Sequence, residues 1–266
     1  MNKYERKMCE LLRVGRERHG VVATKAEFEA EGTRTDELLR LLDIAHRAGV
    51  SIALKVGGCE AIRDLLEAKQ FGVRYIIAPM VETPYALSKY IQAKGKVFNA
   101  DESEEVDFLF NLETITAFNH LDEMVAIASG QPGCNGLVFG RVDFAGSLGL
   151  GREGIESDEV TSRAEHAAAA CRESGLDFVV GGAVSIDALD NLKRFHAVHL
   201  TRFETRKVVF HADALNRSGL EDALKDAVHF ELLWLLNKRD YYGFIHKEDE
   251  ARIDMLESRW KVLGAQ

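Results

Sequence analysis

Short apolar runs typical of β-strands alternate with amphipathic helical segments through most of the chain, and this alternation limits the possible folds more than any other feature. The strand-like runs cover residues 20–27, 51–58, 75–80, 107–114, 136–146, 177–182 and 197–201, with helical patterns at 38–48, 61–70, 85–93, 119–129, 157–174 and 185–194. Repeated βα units without a linker between them indicate a parallel α/β fold. For 266 residues, the best match is a TIM (β/α)8-type barrel that forms one domain over residues 1–266.

Both ends of the chain depart from this repeat. An amphipathic N-terminal helix is predicted to end near Gly15. The eighth strand of the barrel would lie at residues 207–210, or one βα unit has been lost or remodelled, so we expect one atypical unit. Residues 220–266 form a predicted helical extension with more apolar surface than an outer barrel helix usually hides. Contact with another subunit and coverage by a final helix of the same chain are both open.

Composition and charge exclude several classes of partner. The chain has 34 Lys and Arg against 43 Asp and Glu, a net charge of −9, whereas nucleic-acid binding requires a basic footprint. No run approaches the roughly 18 consecutive apolar residues of a membrane-spanning helix, and the charged residues 1–20 lack the apolar core of a signal peptide. Four cysteines lie far apart, without metal or redox spacing. We expect a cytoplasmic protein that acts on small molecules, with no nucleic-acid or membrane partner.

Two carboxylates each end an apolar run in the middle of the chain. Residues 107–114 finish at Glu113, and residues 136–146 finish near Asp143. A strand, a crossover helix and a second strand leave both strand ends at one edge of a parallel sheet, so the two side chains are predicted neighbours. Adjacent ionised carboxylates repel unless they share a proton or bind a cation. We favour a divalent cation, because Mg²⁺ and Mn²⁺ take oxygen ligands and leave coordination positions open for a substrate.

Charged side chains of both signs, together with one threonine, gather at the predicted carboxyl ends of the strands, where barrels of this type carry their functional groups. The set comprises Lys25, Glu27, Glu29, Glu31, Lys55, Glu82, Glu113, Arg141, Asp143, Thr201, Arg202, Glu204 and Arg206. Carboxylates and cations that converge on one rim suit a small anionic ligand, rich in oxygen and held through a metal.

Three motifs follow one another along the chain: PMVET at residues 79–83, LET at 112–114 and GRVDFAGSLG at 140–149. Together they resemble successive signatures of the HpcH/HpaI aldolase and citrate lyase β-subunit family, over roughly residues 21–201. The resemblance implies a (β/α)8 barrel that uses Mg²⁺ or Mn²⁺ to cleave or form a carbon–carbon bond next to a 2-oxo acid. Carried over by position, the family's metal-binding glutamate and aspartate are Glu113 and Asp143.

The resemblance also implies how the substrate is held. A 2-oxo acid would chelate the ion through its carboxylate and keto oxygens, and the ion would stabilise the enolate formed when the bond to C3 breaks. Ala145, Gly146 and Ser147 would form a loop that receives the substrate carboxylate. As alternatives, Glu113 caps a helix, Asp143 forms a surface ion pair, and the loop is an ordinary tight turn.

Two positions depart from the family pattern in the residues used for chemistry. Lys55 stands where the family carries an arginine, which keeps the positive charge but loses the bidentate fork. Phe28 follows Glu27 where many family members have a histidine that transfers protons. We therefore expect Glu27, Glu29 or a metal-bound water to take over proton transfer.

A third departure adds a cation beside the predicted metal site. Arg141 stands where the family has a proline. It would recruit a second acidic group of the substrate, such as a phosphate or carboxylate, or form an ion pair with Glu82 or Glu113.

The predicted function is a divalent-metal-dependent carbon–carbon lyase, an aldolase, in which a 2-oxo acid binds through the metal and Lys55 steadies the oxyanion. One alternative is a Schiff-base aldolase that uses Lys55 or Lys25 as the amine. A second is a barrel without turnover that serves as a metabolite-binding or assembly subunit. We also expect a homo-oligomer.

Overall fold

The computed structural model describes residues 1–264 and shows a closed barrel of eight strands arranged in chain order. The strands are β1 Val21–Glu27, β2 Ser51–Lys55, β3 Tyr75–Ala78, β4 Asp107–Leu112, β5 Gly136–Gly140, β6 Asp177–Gly181, β7 Arg202–Glu204 and β8 Val208–His211. The TIM-type barrel predicted from the alternation of strands and helices is confirmed.

Helices cover the outside of the barrel and extend beyond both ends of the strand repeat. They are α1 Lys3–His19, α2 Thr35–Ala48, α3 Ile62–Gln70, α4 Pro84–Val97, α5 Ala100–Glu104, α6 Ile115–Phe118, α7 Leu121–Ala128, α8 Arg141–Ser147, α9 Asp158–Glu173, α10 Leu189–Val198 and α11 Leu220–Gly264. Short 3₁₀ segments lie at Arg152–Glu156, Ile186–Ala188 and Ala212–Asn216. Within the described residues, no helix is both long and apolar enough to cross a membrane.

The eighth unit of the barrel is the atypical one. Strands β1 to β7 pair in parallel, whereas β8 is antiparallel to both β7 and β1. A turn at residues 205–207 joins β7 to β8 directly, which is too short for the crossover helix that a parallel pair needs. The strand predicted at residues 207–210 is therefore present, but it runs in the opposite direction to the other seven.

The reversal of β8 also reverses the last helix. The α11 helix begins beside the end of α1, where Gly219 lies close to His19. It runs antiparallel to α1, so that the Asn2 and Asn237 side chains meet at 2.6 Å. Phe230 and Trp234 are buried against the barrel, whereas residues beyond Tyr241 are largely exposed.

Three element boundaries predicted from sequence were wrong. The segment 197–201 is not a strand, because α10 continues to Val198 and the strand begins at Arg202. The run 136–146 divides at Gly140: beyond it, buried side chains follow the helical spacing of α8 rather than the alternation of a strand. The N-terminal helix passes Gly15 and ends at His19, followed by Gly20 in the left-handed conformation with φ 72°.

The inward-facing side chains change from apolar to polar along β1, β2 and β4. Small and aliphatic residues fill the inner barrel, namely Ala23, Ala53, Ile77, Leu109, Val138, Val179 and Val209. The next inward positions on β1 are Lys25 and Glu27, and those following Leu109 are Asn111 and Glu113. Since side chains alternate across a strand, this pattern directs polar groups into the barrel at its carboxyl-terminal end.

Candidate active site

A cavity of about 370 Å³ opens at the carboxyl ends of the strands. It draws residues from β1, β2, β4, β5, β6 and β7 and from the β7–β8 turn. Its ionisable lining consists of Lys25, Glu27, Glu29, Lys55, Glu113, Asp143, Glu204 and Arg206. Functional groups of parallel barrels lie at this end.

Glu113 occupies the most enclosed position among these carboxylates. It is 2% exposed. Its Oε2 accepts a hydrogen bond from Asn111 Nδ2 at 2.6 Å, and its Oε1 accepts one from the Met80 backbone N–H at 2.9 Å. Lys55 Nζ lies 3.6 Å from Oε2. Buried carboxylates require such partners, and these three fix the orientation of the side chain.

Backbone features of two neighbouring strands make room for Glu113. A Cβ at Gly140 would lie 2.8 Å from the Glu113 side chain, so β5 needs glycine there. Met80, just after β3, has φ 48°, a strained conformation for a non-glycine residue. That conformation accompanies the bond from its N–H to the carboxylate.

Lys55 bridges two carboxylates of the cavity. Its Nζ lies 3.3 Å from Glu29 Oε2, in addition to the 3.6 Å contact with Glu113. The Lys55 side chain is 12% exposed and that of Glu29 is 30% exposed. Glu29 is therefore more open to a ligand than Glu113, while Lys55 links the two.

Lys25 forms a deeper charged cluster on the cavity floor. Its Nζ lies 2.6 Å from Glu204 Oε1 and 3.2 Å from Glu27 Oε1. Burial alone would lower the pKa of Lys25, but attraction to the two carboxylates outweighs it and raises the pKa. Burial alone would raise the pKa of Glu27, but Lys25 and Lys55 hold it below its ordinary value of 4.5. Lys25 is thus a firmly protonated amine, and Glu27 is a weak base.

Comparison with known proteins identifies the family of the chain. The model of the HpcH/HpaI aldolase/citrate lyase family matches residues 19–198, more than half of the chain. The chain belongs to the HpcH/HpaI family. Aldolases and citrate lyases give the family its name, so membership indicates a lyase. No curated protein matches the sequence.

Solved structures show the same fold at low sequence identity. An HpcH/HpaI aldolase/citrate lyase family protein from Burkholderia cenocepacia has a TM-score of 0.63 at 15% identity, covering 91% of this chain and 90% of its own. An HpcH/HpaI aldolase from Desulfitobacterium hafniense has a TM-score of 0.59 at 15% identity, covering 75% and 82%. A variant of the citrate synthase SbnG has a TM-score of 0.56 at 15% identity, covering 74% and 81%.

Asp143, carried over from the HpcH/HpaI motif, lines the same cavity as Glu113. It does not end a strand, as the sequence had suggested, but lies exposed in the first turn of α8. Negative charge is favourable at this end of a helix. The structure therefore brings the two predicted carboxylates to one cavity through a helix rather than through the end of a strand.

The three small residues predicted to form a carboxylate-binding loop lie within α8, so the loop prediction was wrong. Ala145 is buried in the apolar core. Ser147 Oγ accepts a hydrogen bond from the Ile115 N–H and donates one to the Phe144 carbonyl. Neither they nor Gly146 line the cavity. Their role in substrate binding stays a prediction without support from their position.

Arg141 is buried instead of facing the cavity. Its guanidinium pairs with both carboxylate oxygens of Glu156 at 2.8 and 2.9 Å and donates to the Gly182 carbonyl at 2.8 Å. Burial lowers the pKa of Arg141, and Glu156 partly offsets this. The partners predicted from sequence, Glu82 and Glu113, were wrong. Arg141 fixes the turn after β6, and its predicted role in substrate binding also stays a prediction.

Asn111, Met80 and Glu204 were not predicted as site residues. Asn111 lies two residues before Glu113 on β4, so strand periodicity could have placed it on the same inner side. The Met80 contact depends on its unusual backbone conformation, which no local pattern indicates. Glu204 appeared among the rim residues, but its pairing with Lys25 arises only when β7 closes the barrel against β8 and β1.

The lining of the cavity offers negative charge and oxygen atoms that could act as metal ligands. Three cations against five carboxylates line it, a net charge of −2. The buried Asn111 Oδ1 has no hydrogen-bond partner among the described residues. In residues 1–264, no three His, Cys, Asp or Glu side chains are arranged to hold a metal. Two carboxylates with waters are nevertheless a common Mg²⁺ ligand set.

Replacing Lys25 with Met should destabilise the fold by about 3–5 kcal/mol at neutral pH, because Glu27 and Glu204 would lose their buried counterion. Since the folded-state pKa of Glu27 is lowered, its contribution is present above about pH 4.5 and is lost as pH falls through the lowered value. The difference in free energy of unfolding between wild type and variant should therefore shrink on acidification. Urea titrations across pH measure it. The exposed Lys96→Met change is the control, with an expected effect within about 0.5 kcal/mol, and an equal loss in both variants would contradict the prediction.

Proposed function

We propose that the protein is a divalent-metal-dependent carbon–carbon lyase, an aldolase, that acts on a 2-oxo acid. The observation that carries the proposal is the shared cavity of Glu113 and Asp143 in an HpcH/HpaI family member. Glu113 is oriented by two hydrogen bonds, while Asp143 is exposed. One preset and one accessible carboxylate leave most coordination positions to water and substrate.

Glu113 and Asp143 would hold the cation, Mg²⁺ or Mn²⁺, and Asn111 and Met80 would keep Glu113 oriented. When bound, the cation supplies positive charge that stabilises an enolate oxygen. The net charge of −2 on the ionisable lining supports a doubly charged ion.

Lys55 would stabilise the same developing negative charge. Its ammonium lies between Glu29 and Glu113 and is mostly shielded from solvent. A point charge in a site of low dielectric constant stabilises an oxyanion without the bidentate geometry of arginine.

Glu29 is the better of the two candidates for proton transfer. Glu27 is paired with Lys25, and its lowered pKa makes it a weaker base. Glu29 is more exposed and contacts only Lys55 among the cavity cations. In this proposal Glu29 accepts the hydroxyl proton as the carbon–carbon bond breaks, and returns a proton to C3 of the resulting enolate.

Two other functions remain as competing proposals. A Schiff-base mechanism requires a deprotonated amine. The raised pKa of Lys25 argues against that residue and leaves Lys55. The non-catalytic barrel predicts ligand binding without bond cleavage. A cytoplasmic location and the lack of nucleic-acid and membrane partners stay predictions from composition.

The first test is exchange of the pyruvate methyl protons for deuterium, followed by proton NMR with Mg²⁺ present. Exchange should be fast, should stop with EDTA, and should return when excess Mg²⁺ is added, because enolate formation needs the cation. Exchange that resists EDTA, together with a borohydride-trapped adduct on lysine, would favour the Schiff base. A thermal shift with Mg²⁺ and oxalate, but no exchange with any 2-oxo acid, would favour the non-catalytic barrel.

The second test concerns the groups that hold Glu113. Asn111→Ala should weaken Mn²⁺ binding about 10–100-fold, as expected when the partner of a metal ligand is lost, and Glu113→Gln should weaken it further. Isothermal titration calorimetry measures both affinities. The control is Glu82→Gln: Glu82 lies outside the cavity, and the amide oxygen can still accept the Thr114 hydroxyl bond. Unchanged binding by both site variants would remove Glu113 from the metal site.

The third test separates Glu29 from Glu27. Glu29→Gln should slow pyruvate exchange about 10²–10⁴-fold, the usual contribution of a proton-transfer group, while its Mg²⁺ affinity stays the same. Glu27→Gln should slow exchange less. Rates by NMR and affinities by calorimetry check this. The opposite order would assign proton transfer to Glu27.

A further inference from the structure

The second half of α11 extends past the barrel. Tyr242 still donates a hydrogen bond to Glu37 at 2.6 Å, but the described residues beyond it are exposed. After Glu231 and Trp234 pass the rim, where Glu231 lies 3.8 Å from Arg206, the helix continues to Gly264. A rise of 1.5 Å per residue makes the segment 241–263 about 34 Å long. Its exposed apolar side chains are Tyr241, Phe244, Ile245, Ile253, Met255, Leu256, Trp260, Val262 and Leu263. We propose that this segment pairs in an antiparallel manner with the same segment of a second copy of the chain.

These apolar side chains occupy one half of the helix surface. With 3.6 residues per turn, the other half carries polar residues, among them Lys247, Glu250, Asp254, Glu257 and Lys261. The apolar half is continuous with the side that buries Phe230 and Trp234 against the barrel. An amphipathic helix of this kind normally packs on its apolar side, but here that side has passed the end of its own barrel.

The central line of the apolar half reads the same in both directions. It consists of Tyr241, Ile245, Asp249, Arg252, Leu256 and Trp260, with spacings of four, four, three, four and four residues. In an antiparallel pair, Tyr241 of one copy faces Trp260 of the other, and Ile245 faces Leu256. Asp249 faces Arg252. The segment is therefore complementary to itself, as a two-fold interface requires.

Charges identify both the partner and the direction. In the antiparallel register, Asp249 and Arg252 meet as opposite charges on the apolar half of the helix. A parallel pair in register would place Asp249 against Asp249 and Arg252 against Arg252, which is unfavourable. These pairings support a second copy over an unrelated apolar partner.

A cleft at the base of the segment would receive the end of the second copy. The cleft has a volume of about 400 Å³ and lies between α1, α2 and α11, where it is lined by Glu5, Glu37, Arg40, Trp234, Lys238 and Tyr241. The antiparallel register brings Trp260 and Leu263 of the second copy to Tyr241 and Lys238. Four carboxylates and two cations line the cleft, whereas Arg259 and Lys261 flank Trp260, so their charges are complementary.

The contact is large enough for a stable pair. Trp260 is 77% exposed and Phe244 is 69% exposed, and aromatic side chains each bury roughly 150–250 Å². With Tyr241 and the aliphatic residues, each copy can reach the roughly 800 Å² typical of a specific interface. Tryptophan and tyrosine are the residues that most often dominate such interfaces.

Light scattering after size-exclusion chromatography of the full chain tests the pairing. The wild type should have twice the mass of the 29.7 kDa chain, or an even multiple of it. Leu256→Asp and Trp260→Asp should halve the mass. Val228→Asp, at an exposed position on the same helix but outside the segment, should not. Circular dichroism confirms that each variant remains folded. A monomeric wild type at about 50 μM, or an unchanged mass in both segment variants, would overturn the proposal.

A charge exchange tests the direction. Asp249→Arg and Arg252→Asp, each alone, should raise the dimer dissociation constant at least about 10-fold, because like charges then face each other. The double variant restores opposite charges and should recover most of the affinity. In a parallel pair, the double variant would not bind more tightly than the wild type, because like charges face each other in both. The two single changes would then not compensate for each other. A double variant as weak as the single ones would therefore overturn the antiparallel arrangement.

Discussion

The site depends on keeping one ionised carboxylate, that of Glu113, buried and oriented inside the barrel. Removing a carboxylate from water is costly unless hydrogen bonds and an opposite charge replace the solvent. Asn111, the Met80 N–H and Lys55 do so here, and Gly140 leaves the space. These groups come from four consecutive strands or the residues just after them. Closure of the barrel in the correct register is what assembles them, because a shift of one residue would turn Asn111 and Glu113 outward.

A second consequence of closure is the separation of two charged layers. Lys25 pairs with Glu27 and Glu204 on the cavity floor, whereas Lys55 links Glu29 to Glu113 nearer the opening. The floor is held by close ion pairs and has shifted pKa values. In the second layer the contacts are longer. Lys55 and Glu29 are more exposed than the floor residues, whereas Glu113 is the most enclosed carboxylate. The floor is therefore suited to supporting the barrel, and the upper layer to chemistry.

The reversed eighth strand influences both the cavity and the outer surface. Because β8 is antiparallel, the turn before it lies at the catalytic end and contributes Thr205 and Arg206 to the cavity. The same turn places Lys207 beside Glu31, which ties the loop after β1 to it. The reversal also sends α11 back toward the catalytic end, so that its second half passes the rim. One change of strand direction thus links the shape of the site to the proposed pairing of α11.

The alternation of patterns in the sequence was sufficient to predict the barrel, because strand and helix periodicities are local properties. The three ordered motifs were also sufficient to indicate the family. The metal-binding role that they imply for Glu113 and Asp143 stays a prediction. Local patterns were less informative where contacts between distant segments decide the outcome. Residues 141–147 form a helix because Phe144 and Ala145 pack into the core. The Arg141 side chain pairs with Glu156 and does not face the cavity. Two contacts likewise required the closed barrel, namely the Met80 hydrogen bond and the Lys25–Glu204 pair, because each joins groups from separate strands. The direction of β8 also depends on how the strands assemble in space.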